Sequence, residues 1–418
     1  MTLPARTERE AHDLALLTGD GAGEMLRVAL GERATVRSWS VHSVHHRPGA
    51  GVTACYVVAV DVAGENGEIE STEEYMCAST ARLSRPDEVL AKLQSQGTKV
   101  SIWRYPEDPE LPGLAEACSP DRMSKRLGEP VSIELMSYRP TRRAVVKVSR
   151  PTGVMAFGKV LRLPQARDLA HRHRMLEASP VPAPRLLMEG RDGLVLIAAV
   201  TGEPLANIIS RGMGVRAPQI LRALIGALDA LPAEAMSLPQ RPAWADRAEH
   251  YAHAAATALP EETLRCRNLA QRIDALLAVA PTGPLVPVHG DFYEANIYMS
   301  KNLWQVSGLI DVDSIGPGYR VDDLACLLGH MSVLPHLAPK AYPHVAQDLA
   351  QWSAACEMFV DPVALNARCA GVVLSLIAGA KRMDGREWRN DALGRLATAE
   401  WWVGRAEGWA ASRAVPGI

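Results

Sequence analysis

Residues 288–298 read VHGDFYEANIY, and residues 309–314 read LIDVDS. Asp291 and Asn296 stand five apart, and Asp311 follows fifteen residues later. Phosphoryl transfer from a nucleotide asks for such a set: cations to hold the polyphosphate, acids to hold the cations, and a group that orients the attacking hydroxyl. In that chemistry the first acid meets the hydroxyl, while the amide and the second acid ligate Mg²⁺ through hard oxygen atoms. The runs LVPVHGD (285–291) and VSGLIDVD (306–313) read as buried strands that end in charge. An acid at such a place is costly unless it is paired or bound to metal. Either acid alone reads equally well as a turn residue, Asp291 capping a loop after Gly290 or Asp311 ending a hairpin; the whole string at this spacing favours the chemistry. Asp313, two residues after Asp311, would share its face on a strand and join the metal shell. A cap or loop role is its alternative.

HGDFYEAN, LIDVDS and then VDDLACL (321–327) resemble the aminoglycoside phosphotransferase family, relatives of protein kinases and choline kinases. The resemblance implies an α+β, bilobal, protein-kinase-like fold with a strand-rich N-lobe and a helical C-lobe. It implies that Asp291 is the catalytic base, that Asn296 and Asp311 hold metal, that His289 orients the loop and that Asp323 braces it. Upstream, it makes Lys159 in AFGKVLR the lysine that grips the nucleotide phosphates. It places adenine against the main chain of Ile197–Ala199 in LVLIAAV. The family's helix acid falls on Asp168 in DLAH, with Glu177 as the other candidate. No GxGxxG loop is present; its place is taken by RPTRR (139–143), where Arg143 is expected on the phosphates or, alternatively, in a solvated turn. ATP or GTP and Mg²⁺ are the implied cofactors, and a small molecule bearing a hydroxyl is the implied partner.

Three regions must position these residues. Residues 1–128 mix a helical start with alternating, β-branched runs at 51–62 and 99–105, followed by the turn-rich PEDPELPG (106–113). They are expected to form an additional N-terminal α/β cap module. Residues 129–205 offer three strands, the last two joined by a hairpin at RPTG (150–153), then a helix at 164–178 and the strand LVLIAAV. Residues 206–418 are mostly helical, with apolar periodicity over 217–231, 322–334, 362–380 and 391–409. The first two regions also echo each other. HRPGAGVTACYVVAV (46–60) aligns with YRPTRRAVVKV (138–148), and MCASTARL (76–83) with AFGKVLRL (156–163), which sets Ser79 in the place of Lys159. A degenerate copy of the N-lobe sheet is one reading of the cap module; a chance match between short strand pairs is the other.

Lys+Arg 45 against Asp+Glu 47 gives a net charge of −2, which argues against a nucleic-acid-binding footprint. The start, MTLPARTEREAHD, lacks the apolar run of a signal peptide, and the seven cysteines are scattered and odd in number. Free thiols in a cytoplasmic protein with no membrane segment are expected, as a monomer or homodimer. Two competing readings keep the same residues. One is a catalytically weak, nucleotide-binding regulator. The other is a metal-dependent hydrolase built on His289, Asp291, Asp311 and Asp313, which leaves Lys159 and Asn296 without a task. For the acceptor, Glu261, Glu262, Glu357, Asp384 and Glu400 could bind an amine, and Trp388, Trp401 and Trp402 could stack on a sugar. Solvated helix faces and core packing are the alternatives for them.

Overall fold

The computed structural model describes residues 3–47, 51–63, 68–95, 97–381 and 387–414. The chain is α+β and divides into two compact units, Met1–Ala170 with Leu186–Ala199, and His171–Arg185 with Val200–Ile418.

The first unit contains two five-stranded antiparallel sheets. Helices α1 (Leu3–Thr18) and α2 (Gly21–Leu30) precede β1 (Ala34–Arg47), β2 (Gly51–Ala63), β3 (Ile69–Ser79), β4 (Ala91–Ser95) and β5 (Thr98–Arg104). Helices α3 (Leu114–Ala117) and α4 (Pro120–Leu127) precede β6 (Ser132–Arg139), β7 (Arg143–Arg150), β8 (Gly153–Leu161), β9 (Leu186–Glu189) and β10 (Leu194–Ala198). The strand orders are β1-β2-β3-β5-β4 and β6-β7-β8-β10-β9, the same path drawn twice. Register repeats as well. Thr53 faces Ser79 in the first sheet, and Val145 faces Lys159 in the second.

Alternation along a strand sends neighbouring side chains to opposite faces. In the first sheet Val52, Ala54 and Tyr56 bury against Leu16, Leu17, Met25 and Leu26 of the two helices. Ala144, Val146 and Val148 of the second sheet bury against Leu114, Ala117 and Met123 in the same manner. Helix α5 (Leu163–Glu177) joins β8 to β9, and α4 is capped by Ser119, whose hydroxyl accepts from the Arg122 N–H. The hairpin at Pro151–Thr152 forms as the turn chemistry predicts, with Arg150 facing Gly153.

The second unit is mainly helical: α6 (Leu205–Arg211), α7 (Ala217–Asp229), α8 (Ala248–Ala258), α9 (Thr263–Leu277), α10 (Arg320–Leu337), α11 (Val345–Cys356), α12 (Pro362–Ile377) and α13 (Arg389–Ala414). At its centre lies α12, packed by α8, α9, α10 and α13. The stretch Pro362–Ala380 is long and apolar enough to cross a membrane, but 78% of it is buried in protein, as befits a core helix. Short strands interrupt the helices: β11 (Glu203–Pro204), β12 (Leu285–Val288), β13 (Ile297–Met299), β14 (Val306–Leu309) and β15 (Gly316–Tyr319). Antiparallel pairing of β12 with β15 and of β13 with β14 frames the loop 289–296.

Candidate active site

The loop after β12 is held from beneath by one carboxylate. Asp323, fully buried in the first turn of α10, accepts the N–H of His289 and the N–H of Gly290, each at 2.9 Å. Burial pushes its carboxyl up to about 7, against the pull of those two donors. Gly290 has φ +78, and a Cβ there would lie 2.8 Å from the Ser314 carbonyl oxygen, so no other residue fits. His289 is fully buried, with Nε2 3.1 Å from the Ile310 carbonyl oxygen and Nδ1 accepting the Asp291 N–H at 3.3 Å. That pattern requires the neutral ring with its proton on Nε2. Burial accordingly lowers its pKa to about 4. One imidazole thus links the Asp291 backbone to the chain just before Asp311. Asn296 closes the loop by donating Nδ2–H to the Asp291 carbonyl at 2.9 Å.

Asp311 has φ +57, the left-handed region, which Asp tolerates better than most residues but which still costs about 1 kcal/mol. This bend ends β14 at Leu309 and starts the 3-10 turn Val312–Ser314. The strand expected to put Asp313 on Asp311's face is therefore absent; the pair sits in a bend instead. Both carboxylates lie near enough to His289 to favour its charged form.

In the first unit Lys159 is half-buried on β8, between Val145 of β7 and Val195 of β10. Arg143 is exposed at the start of β7. Ile197 is buried on β10, and the N–H of Ala199 donates to the Met155 carbonyl at 3.0 Å. Asp168 and Glu177 both lie on exposed positions of α5.

Residues 136–355 match the model of the phosphotransferase enzyme family, more than half of the chain. The chain belongs to that family. It is a phosphotransferase, the enzyme class that HGDFYEAN implied. No curated protein matches it. Solved structures similar to it include the aminoglycoside phosphotransferase APH(4)-Ia in complex with AMP-PNP and hygromycin B, at 14% identity over 71% of this chain and 99% of that one, TM-score 0.43. An ethanolamine kinase of Plasmodium vivax is similar at 12% identity over 64% and 82%, TM-score 0.43. A macrolide 2'-phosphotransferase of Brachybacterium faecium is similar at 16% over 71% and 98%, TM-score 0.37.

The acids named for the acceptor are engaged within this phosphotransferase. Glu400 pairs with Arg265 at 2.7 Å, Glu262 with Arg265 at 3.0 Å, and Glu261 with Arg389. Glu357 accepts from Asn366 at 2.8 Å and pairs with Arg405. Asp384 lies outside the described residues. Trp402 is core, whereas Trp401 is half-exposed. Glu294 was not singled out by its sequence. It is 5% exposed within the loop 289–296, burial pushes it up to about 7, and its Oε2 has no partner among the described residues.

Proposed function

We propose that this phosphotransferase moves the γ-phosphoryl group of ATP to a hydroxyl of a small-molecule acceptor, an antibiotic, a sugar or an amino alcohol. Asp291 orients that hydroxyl and takes its proton. The observation that supports this reading most is the bracing of the loop: two N–H bonds to Asp323, the His289 bridge and the Asn296 tie fix Asp291 from both sides. Positioning of this kind is most of what the protein contributes to phosphoryl transfer.

The donor set fits Mg²⁺. Asn296 uses its nitrogen on Asp291, which leaves its amide oxygen for a hard cation, and Asp311, with Asp313 beside it, adds carboxylate oxygens. Among the described residues no three His, Cys, Asp or Glu side chains converge on one point, as a closed protein cage would require. Magnesium bound through substrate phosphates needs only one or two carboxylates. When bound, the ion neutralises charge that builds on the phosphates. Lys159 and Arg143 are assigned to the phosphates and Ile197 and Ala199 to adenine. With its N–H given to Met155, Ala199 offers adenine its carbonyl. Asp168 is assigned to pair with Lys159.

A mass-spectrometric screen for ATP-dependent phosphorylation of antibiotics, sugars and amino alcohols tests this. With the acceptor found, Asp291→Ala should lower kcat by about a thousandfold. Full activity in that variant would refute the role of Asp291, and nucleotide binding without turnover of any acceptor would favour a regulator.

A further inference from the structure

Between the two sheets of the first unit, the loop 106–113 grips the tip of the β6–β7 hairpin. Thr141, at that tip, has φ +61 and is 7% exposed. A threonine in the left-handed region persists only where its surroundings hold it. They hold it from both sides. Its N–H donates to Asp108 Oδ2 at 2.7 Å, and its carbonyl accepts from Arg162 Nε at 2.7 Å. Asp108 is 3% exposed and also accepts the Tyr138 hydroxyl on Oδ2 at 2.8 Å and the Glu110 N–H on Oδ1 at 2.9 Å. Glu110 is buried too and meets Arg162 at 3.2 Å. Arg142 and Arg143 leave this clamp exposed, and two residues later Val145 faces Lys159 across the sheet.

We propose that Asp108 is a positioning residue for the phosphate donor, fixing the hairpin tip so that Arg142 and Arg143 stand ready for the phosphates beside Lys159. This rests on the reading above that Lys159 holds a nucleotide's phosphates. It also gives the loop 106–113 of the N-terminal region a task in the reaction without any contact to substrate. Asparagine has one acceptor oxygen where Asp108 uses two, so Asp108→Asn keeps the volume but turns an N–H donor toward Thr141 or Glu110.

The test is titration of wild type and Asp108→Asn with Mg²⁺ and either ATP or adenosine, with a thermal melt of each protein. ATP should bind about tenfold more weakly to Asp108→Asn, while adenosine, which has no phosphates, binds as before. Tyr138→Phe, which removes one donor and leaves Asp108, should weaken ATP alone by about threefold. Equal losses for ATP and adenosine, or no loss for ATP, would show Asp108 to be merely structural and overturn the proposal. A wild type that binds neither ligand would sink the nucleotide-dependent reading, and the clamp with it. If Asp108→Asn does not fold, Tyr138→Phe decides: an ATP-specific loss supports the clamp, and an unchanged ATP affinity overturns it.

Discussion

The two five-stranded sheets of the first unit follow one path, carry helices on the same face and differ on the other. In the sheet β6–β10 that second face holds Val145, Phe157 and Lys159, all half-buried. In the sheet β1–β5 the matching positions are Thr53, Cys77 and Ser79, all buried. Cys55, Cys77 and Trp103 there pack with Leu83, Tyr75 and Tyr138. The hydroxyl of Ser79 is spent on Thr53 at 2.8 Å and on the Ala81 N–H at 3.1 Å. One framework thus supports two outcomes: a face filled by aromatic and thiol side chains, and a face that keeps a long cation at its centre. The strand path does not decide whether a sheet can hold a ligand; the side chains of a single face do.

If the first face is closed by packing, truncating its centre must cost more than truncating the second. Trp103→Ala should lower unfolding free energy by about 4 kcal/mol, and Phe157→Ala by about 2 kcal/mol, because Phe157 is only half-buried. Denaturant melts of both variants check this, and equal losses would erase the contrast.

In the loop 289–296 polar side chains are buried beside Phe292, which sharpens the contrast in a pH-dependent way. The pKa of His289 is lowered to about 4 in the fold and stands near 6.5 when unfolded. Between those values the unfolded chain binds the extra proton, so the contribution of His289 is complete above about pH 6.5 and is lost as pH falls toward 4. Relative to His289→Asn, wild type should lose about 3 kcal/mol over that window. Melts of both proteins from pH 7 to pH 4 measure it, and parallel curves would contradict the neutral, doubly bonded ring.

Legibility followed locality. The braced loop was readable because its polar residues are packed into residues 288–314, and its bracing acid opens the next helix at Asp323. The strands β7 and β8 declared themselves by β-branched runs flanking the RPTG turn, and β10 by a continuous apolar run. Strand β1 did not, because register shifts between Val36 and Ser38 and between Val41 and Ser43 break its alternation. Strand β3 hid in its polar first half, exposed from Ile69 through Glu73. Asp108 was visible only as turn chemistry, since its partner Thr141 lies 33 residues away. The bend at Asp311 overrode the strand parity expected for Asp313, as backbone conformation is not written in residue spacing.

The central claim is that phosphate chemistry belongs to the second sheet and not to its counterpart. Titrating Mg²⁺ and ATP into Lys159→Ala and Ser79→Ala tests it directly, because the two residues occupy one register position in the two sheets. The account predicts about a hundredfold loss of ATP affinity in Lys159→Ala and an unchanged affinity in Ser79→Ala. Equal affinities in the two variants would contradict it.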